Sequence, residues 1–150
     1  MKTLFVNRER ATPLPEWAYR WLTPELHETG PTEIALTDIC SFSSIRQDET
    51  IEGFTFYEHL CTNGLLERCL NLQDGLAIKS DPSLPLSPYF TDGGRLLLWK
   101  SVLVGDKNPN SKNLLVPFVQ VISGQTPIIY YWWLAYNIRP KSDKGLLRVA

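Results

Sequence analysis

The sequence predicts an α+β domain that is mostly antiparallel β, a sheet of hairpins with roughly 5–7 strands and one or two short N-terminal helices. Three observations carry that expectation. Residues 95–104, 114–122 and 128–136 are apolar runs of strand length. Turn chemistry separates the runs: Asn63-Gly64, Asp74-Gly75, Asp92-Gly93-Gly94 and Ser123-Gly124-Gln125-Thr126-Pro127. Near the start, Pro13 and Pro15 precede an aromatic stretch, and proline suits a helix start because its missing N–H would go unpaired there anyway.

Taken in order, Glu16 to Leu22 reads as a short helix, with Trp17 and Trp21 at i and i+4 on one face. Thr23-Pro24-Glu25 reads as an N-cap opening a second short turn, closed by Gly30-Pro31. Ile34 to Phe42 is an expected strand, followed by a polar, acidic loop. Phe54 and Phe56 alternate with Thr55 and Tyr57 in a strand reaching Cys61. The Asn63-Gly64 pair then predicts a type I′ hairpin turn, with Leu65 to Leu72 as the returning strand. A helix over Leu65 to Leu70 competes with that reading, since most of these residues are good helix formers. Leu76 to Ile78 is a short strand, and three prolines between Asp81 and Pro88 mark an irregular crossing. Arg95 to Val104 is one strand, Leu114 to Ile122 another, and Ile128 to Tyr136 the last. Pro117 has no N–H to give, which favours an edge position or a bulge. Residues 139–150 read as a frayed basic tail.

The 150 residues suit one domain, and 43% hydrophobic residues with five Trp exclude a disordered chain. The longest apolar run, Ile128 to Tyr136, is about half of what a membrane-spanning helix needs, and Thr3 to Val6 is too short for a secretory core. Cys40, Cys61 and Cys69 are odd in number and unevenly spaced, as expected of reduced thiols in a cytoplasmic protein. Charge is split. From Glu25 to Glu67 nine acids face Arg46 alone, whereas from Gly93 to Ala150 eight bases face two acids. Such polarity orients a protein against a partner, unless folding interleaves the two segments.

Catalytic chemistry has thin support. His59 and Cys61 lie two apart and would share one face of a strand, with Cys69 arriving across the hairpin. Further zinc ligands at C-x-x-C or H-x-x-x-H spacing are missing, and ordinary core packing explains such residues more simply. Asp48, Glu49 and Glu52 have little apolar cover with which to raise a pKa. Ser41, Ser43 and Ser44 cluster without a nucleophile elbow, and neither glycine-rich nucleotide motif occurs. No cofactor, metal or catalytic residue is expected. The aromatic strand is more informative. Tyr130 and Trp132 would share one face, Tyr131 and Trp133 the other. Core packing between layers is the plain reading. A protein interface enriched in Tyr and Trp, or stacking on single-stranded RNA with Lys107, Lys112 or Arg139 nearby, are the exposed ones. A chain whose net charge is -1 favours the protein partner, since autonomous nucleic-acid binders are strongly basic.

Phe90-Thr91-Asp92-Gly93-Gly94-Arg95-Leu96-Leu97-Leu98-Trp99-Lys100 resembles a pattern in the small accessory subunit of type III-D CRISPR effector complexes: aromatic, glycine turn, aliphatic strand, Trp, basic residue. Thr62-Asn63-Gly64-Leu65-Leu66 and the proline-rich Ser83 to Pro88 follow a similar order of elements. The likeness covers residues 54–104, with no counterpart for the 105–113 loop or the acidic N-terminal half. It implies a non-catalytic, cytoplasmic subunit for antiviral defence that docks beside Cas subunits on a crRNA-guided ribonucleoprotein and stabilises its assembly. No site residue carries over. The alternatives are a small cytoplasmic enzyme using the Cys/His pair and a direct single-stranded RNA-binding module.

Overall fold

The computed structural model describes residues 3–41, 50–81, 84, 95–108, 110, 112–120, 126–138 and 143–148. In chain order the elements are β1 (Thr3–Phe5), β2 (Arg20–Trp21), α1 (Pro24–His27), β3 (Glu33–Ala35), β4 (Ile39–Ser41), β5 (Ile51–Glu52), α2 (Gly53–Thr62), α3 (Leu72–Ser80), β6 (Arg95–Leu97), β7 (Leu103–Val104), β8 (Leu114–Gln120), β9 (Ile128–Trp133), β10 (Asn137–Ile138) and β11 (Asp143–Arg148). Single 3-10 turns cover Leu36–Asp38, Leu66–Arg68 and Trp99–Ser101. The architecture is α+β and mostly antiparallel, as the sequence predicts.

One seven-stranded sheet organises the molecule. β8 lies between β9 on one side and β6 and β7 on the other, with antiparallel pairing throughout. β2 flanks β7, while β11 runs parallel to β6 and antiparallel to β4. Two small ribbons, β1–β3 and β5–β10, stand apart from it. Both faces of the sheet are covered. Leu96, Leu98 and Val119 pack with Leu72 and Ile78 of α3 and with Leu4 and Ile34 of the β1–β3 ribbon. Leu97, Val116 and Phe118 pack on the opposite side with Phe56, Tyr57 and Leu60 of α2, around fully buried Trp99. A sheet covered twice needs apolar residues at every position, which is why Leu96-Leu97-Leu98 and Leu115–Val119 read as unbroken runs. Each fully buried Leu or Phe contributes about 1.5–3 kcal/mol of transfer free energy.

The helices depart most from the sequence reading. Gly53–Thr62, expected as a strand, is a helix that buries Phe56, Tyr57 and Leu60 along one stripe. Asn63-Gly64 ends it rather than turning a hairpin. Gly64 N–H donates to the Cys61 carbonyl and Leu65 N–H to that of Leu60, the paired bonds of a Schellman cap. Only Gly64 is left-handed, with φ of 64°, whereas a type I′ turn needs positive φ at Asn63 too. Leu65 to Leu72 is accordingly a 3-10 turn and a crossing that ends where Leu72 opens α3, rather than a strand. Residues 76–78 lie in α3, whose capping box joins Asn71 and Asp74 through reciprocal side-chain and backbone bonds. Gly75, read as a turn residue, sits inside α3, where a Cβ would come within 2.5 Å of the Leu98 side chain.

Other expectations shift more modestly. Residues 16–22 form a turn and β2 instead of a helix, while Pro24 opens α1 as expected. The strand expected from Ile34 is split by the 3-10 turn at Leu36–Asp38, and its end at Phe42 falls outside the described residues. Residues 95–104 break into β6, a 3-10 turn and β7. Pro117 accounts for the break. It lies inside the sheet, not at an edge, and its carbonyl accepts from Leu98 N–H at 2.9 Å, but it has no N–H to return. The Leu98 carbonyl takes the Ser101 N–H instead, at 3.0 Å, and that bond closes the Trp99–Ser101 turn. The last apolar run stops at Trp133 and turns through Leu134 into β10. Within the stretch expected to be a frayed tail, Asp143–Arg148 is a strand whose first three residues pair with β6 and last three with β4. Among the described residues no helix is long and apolar enough to cross a membrane.

Candidate functional site

β9 occupies an edge of the sheet, and among the described residues it pairs with β8 alone. The register fixes which of its backbone groups are spent. Since Leu98 N–H reaches the Pro117 carbonyl and Leu134 N–H reaches that of Leu114, odd-numbered β8 residues face β6 and β7, and even-numbered ones face β9. Opposite Val116 and Phe118 stand Trp132 and Tyr130, whose N–H and C=O groups are therefore used. Ile129, Tyr131 and Trp133 point theirs away from the sheet, where the Trp133 carbonyl accepts the Tyr136 N–H at 3.1 Å. Natural edges are guarded by Lys, Pro, bulges or a covering element. Ile128-Ile129-Tyr130-Tyr131-Trp132-Trp133 carries no charge and no proline.

The side chains divide by face. Tyr130 is 57% exposed beside Phe118, with ring centroids 6.3 Å apart. Half-buried Trp132 is held by the Arg95 guanidinium 3.9 Å above its ring and by Tyr136 edge-on at 5.5 Å. On the opposite face Tyr131 meets Trp17 edge-on at 5.0 Å, and burial raises its phenol pKa. Trp133, Tyr136 and Trp17 are 41%, 55% and 51% exposed. Of the four residues singled out from the sequence, Tyr130 and Trp133 present their rings to solvent, while Tyr131 and Trp132 brace the strand. Trp17 and Tyr136 join this surface through contacts that sequence spacing does not show.

The basic residues are dispersed. Lys107 is exposed on the β7–β8 loop, beside a groove of about 450 Å³ lined by Tyr19, Arg20 and Asp106. Lys112 holds its ammonium 6.0 Å over the Phe54 ring. Arg139 lies outside the described residues. Nor does α2 give His59 and Cys61 a common face, because a separation of two turns side chains about 200° apart on a helix. His59 meets Asn63 instead, with its Nδ1 at 3.2 Å. Cys61 is exposed, and burial pushes the Cys69 thiol up to about 12, away from thiolate chemistry. Asp48 and Glu49 lie outside the described residues. Among the described residues no group of three His, Cys, Asp or Glu is placed to hold a metal ion.

A buried polar cluster binds the N-terminal segment to the sheet and α3. His27 Nδ1 lies 2.9 Å from Ser101 Oγ, and Nε2 lies 2.6 Å from Thr12 Oγ1, which donates to Glu28. Trp21 stacks on the imidazole at 3.5 Å. Burial holds His27 below its ordinary pKa, against the opposing pull of Glu28. A neutral ring with the proton on Nε2 satisfies every partner: Ser101 donates to Nδ1, and Nε2–H donates to Thr12. Ser and His at this distance have nucleophile and base geometry. Ser101, however, is completely buried and its Oγ accepts the Leu72 N–H, so no substrate reaches it. Alongside, Arg8 Nη2 pairs with fully buried Asp74 at 2.7 Å. The Thr29 carbonyl accepts from both Asn71 and Lys100. Desolvation raises the Asp74 carboxyl, and Arg8 and the Asn71 N–H pull it back. Sequence reading missed this cluster. Its one local signal is the Asn71-x-x-Asp74 cap spacing; the other partners are far apart in the chain.

Fold and site together define an α+β protein with a doubly covered sheet and an aromatic edge that no other strand covers among the described residues. No protein-family model, curated protein or solved structure matches the chain.

Proposed function

We propose that this chain is a non-catalytic interaction subunit of a larger cytoplasmic assembly, joined to it through β9. The observation that carries the proposal is an edge strand with three outward-facing backbone positions, no charged residue and exposed Tyr130, Trp133 and Tyr136 beside it. Exposed edges add strands from partners, and Tyr and Trp dominate the energetics of protein interfaces. For the assembly itself, our proposal is a crRNA-guided type III ribonucleoprotein. It rests on the likeness of residues 90–100 to the small accessory subunit, with Cas proteins as the neighbours. Contact with guide or target RNA through exposed Lys107 and Lys112 is the secondary part of this proposal.

Affinity purification of the tagged full chain from its native host tests the reading. Stoichiometric recovery of further subunits, weakened severalfold by Trp133→Ala or Tyr130→Ala, is the expected result. A lone chain at native expression would refute it. RNA in the recovered assembly with no RNA retained by the isolated chain would remove the RNA part alone.

A further inference from the structure

We infer that β9 pairs with β9 of a second copy of this chain, antiparallel about a two-fold axis through Tyr131, joining two sheets into one. This deepens the interaction reading above and rests on it. The outward-facing positions are symmetric about Tyr131, with Ile129 and Trp133 two residues to either side. Two-fold pairing therefore sets Tyr131 against its own counterpart and Ile129 against Trp133, an aliphatic–aromatic cross-strand pair of the favourable kind. The Tyr131 pair exchanges two backbone hydrogen bonds; at each Ile129–Trp133 pair the Trp133 N–H donates to the Ile129 carbonyl, since the Trp133 carbonyl already accepts the Tyr136 N–H. Such isologous contacts are the commonest route to closed oligomers.

Charge favours a second copy over a foreign strand. Ile128 to Tyr136 contains no charged residue, so nothing in the strand repels its own copy and nothing selects a partner of opposite charge. The nearest cation among the described contacts, Arg95, lies over Trp132. The available area is of the right order too. Tyr130, Trp133, Tyr136 and Trp17 are 57%, 41%, 55% and 51% exposed. At roughly 200 Å² per aromatic side chain they offer about 400 Å². Edge backbone and the half-buried Ile128 and Ile129 extend this towards the ~800 Å² per partner of a stable interface.

Sedimentation equilibrium of the full chain across micromolar concentrations reads the result directly, with a reversible dimer expected. Tyr131→Pro removes an N–H that no described residue of the chain uses, and should weaken the dimer roughly 10- to 100-fold, the equivalent of two backbone hydrogen bonds. Tyr130→Lys is the second variant, at an exposed position that folding does not depend on. Tyr130→Lys and Tyr130→Glu both remove the ring, but pairing brings residue 130 opposite Trp132 and its Arg95 in the other copy, so Lys should weaken the dimer more than Glu does. A monomer at every concentration overturns the inference, as do equal losses from Lys and Glu at position 130. If the chain is monomeric but Tyr131→Pro abolishes recovery of the host assembly, self-pairing fails and the interaction reading stands. If the chain dimerises and Tyr131→Pro leaves host recovery intact, self-pairing stands and the interaction reading fails.

Discussion

Around His27 and Asp74 the polar groups named above are matched, and most of them are buried; along β9 the N–H groups of Ile129, Tyr131 and Trp133 turn outward without a partner among the described residues. In the first region Ser101, His27, Thr12 and Glu28 form a chain of bonds, and Arg8, Asp74, Asn71 and Thr29 form a second beside it. Buried polar groups are costly unless paired, so a fully paired cluster fixes one arrangement of the N-terminal segment. It has the residue types of a catalytic site and the access of a core. In the second region the costs are low, because an edge carbonyl or amide in water is solvated, and the gain waits for a partner. Residue type misleads about function in both places, and exposure decides it.

Breaking the clamp should give the largest effects. Asp74→Ala leaves the Arg8 guanidinium without its carboxylate and removes the capping box, and should cost about 3–5 kcal/mol in chemical unfolding. A loss under ~1 kcal/mol would show that the pair contributes little. Ser101→Ala strips partners from Leu72 N–H and His27 at once, with an expected cost of about 1–3 kcal/mol.

The pH dependence sharpens the same contrast. His27 is held below its ordinary 6.5, chiefly by burial, so on acidification the unfolded chain binds a proton that the folded chain refuses. The stabilisation is complete above about pH 6.5 and is lost as pH falls further. Thermal unfolding between pH 7.5 and 5.5 should show a falling midpoint, and His27→Gln should flatten the slope relative to the parent. An unchanged slope in the variant would assign the pH dependence to other groups.

The smallest effect belongs to the edge. Tyr130→Ser should change stability by no more than about 0.5 kcal/mol, since the ring is largely exposed. The same substitution should weaken partner recovery severalfold. A loss of stability comparable to that of Ser101→Ala would turn Tyr130 into a core residue and remove the contrast.

Legibility in the sequence followed the range of the interactions. The runs at 114–120 and 128–133 are strands, because β-branched and aromatic residues flanked by turn chemistry speak locally. The α+β class and the aromatic strand followed from them. Asn63-Gly64 supplies a positive φ in a hairpin and at a helix end alike, and the Leu65 to Leu60 bond with the negative φ of Asn63 distinguishes the two. The apolar pattern of residues 53–62 fits either period until the sheet offers Phe56, Tyr57 and Leu60 one face to pack on.

By itself, then, the sequence determined the sheet-rich class, the uncharged aromatic character of 128–133 and the position where Pro117 withholds a donor. Tertiary structure alone decided that β9 lies at an edge, that the facing strand breaks at Leu98 to accommodate Pro117, and that His27 meets Ser101. Those outcomes are set by which distant segments become neighbours. Local propensity cannot carry that information, because the bonds concerned join residues 15 to 74 positions apart.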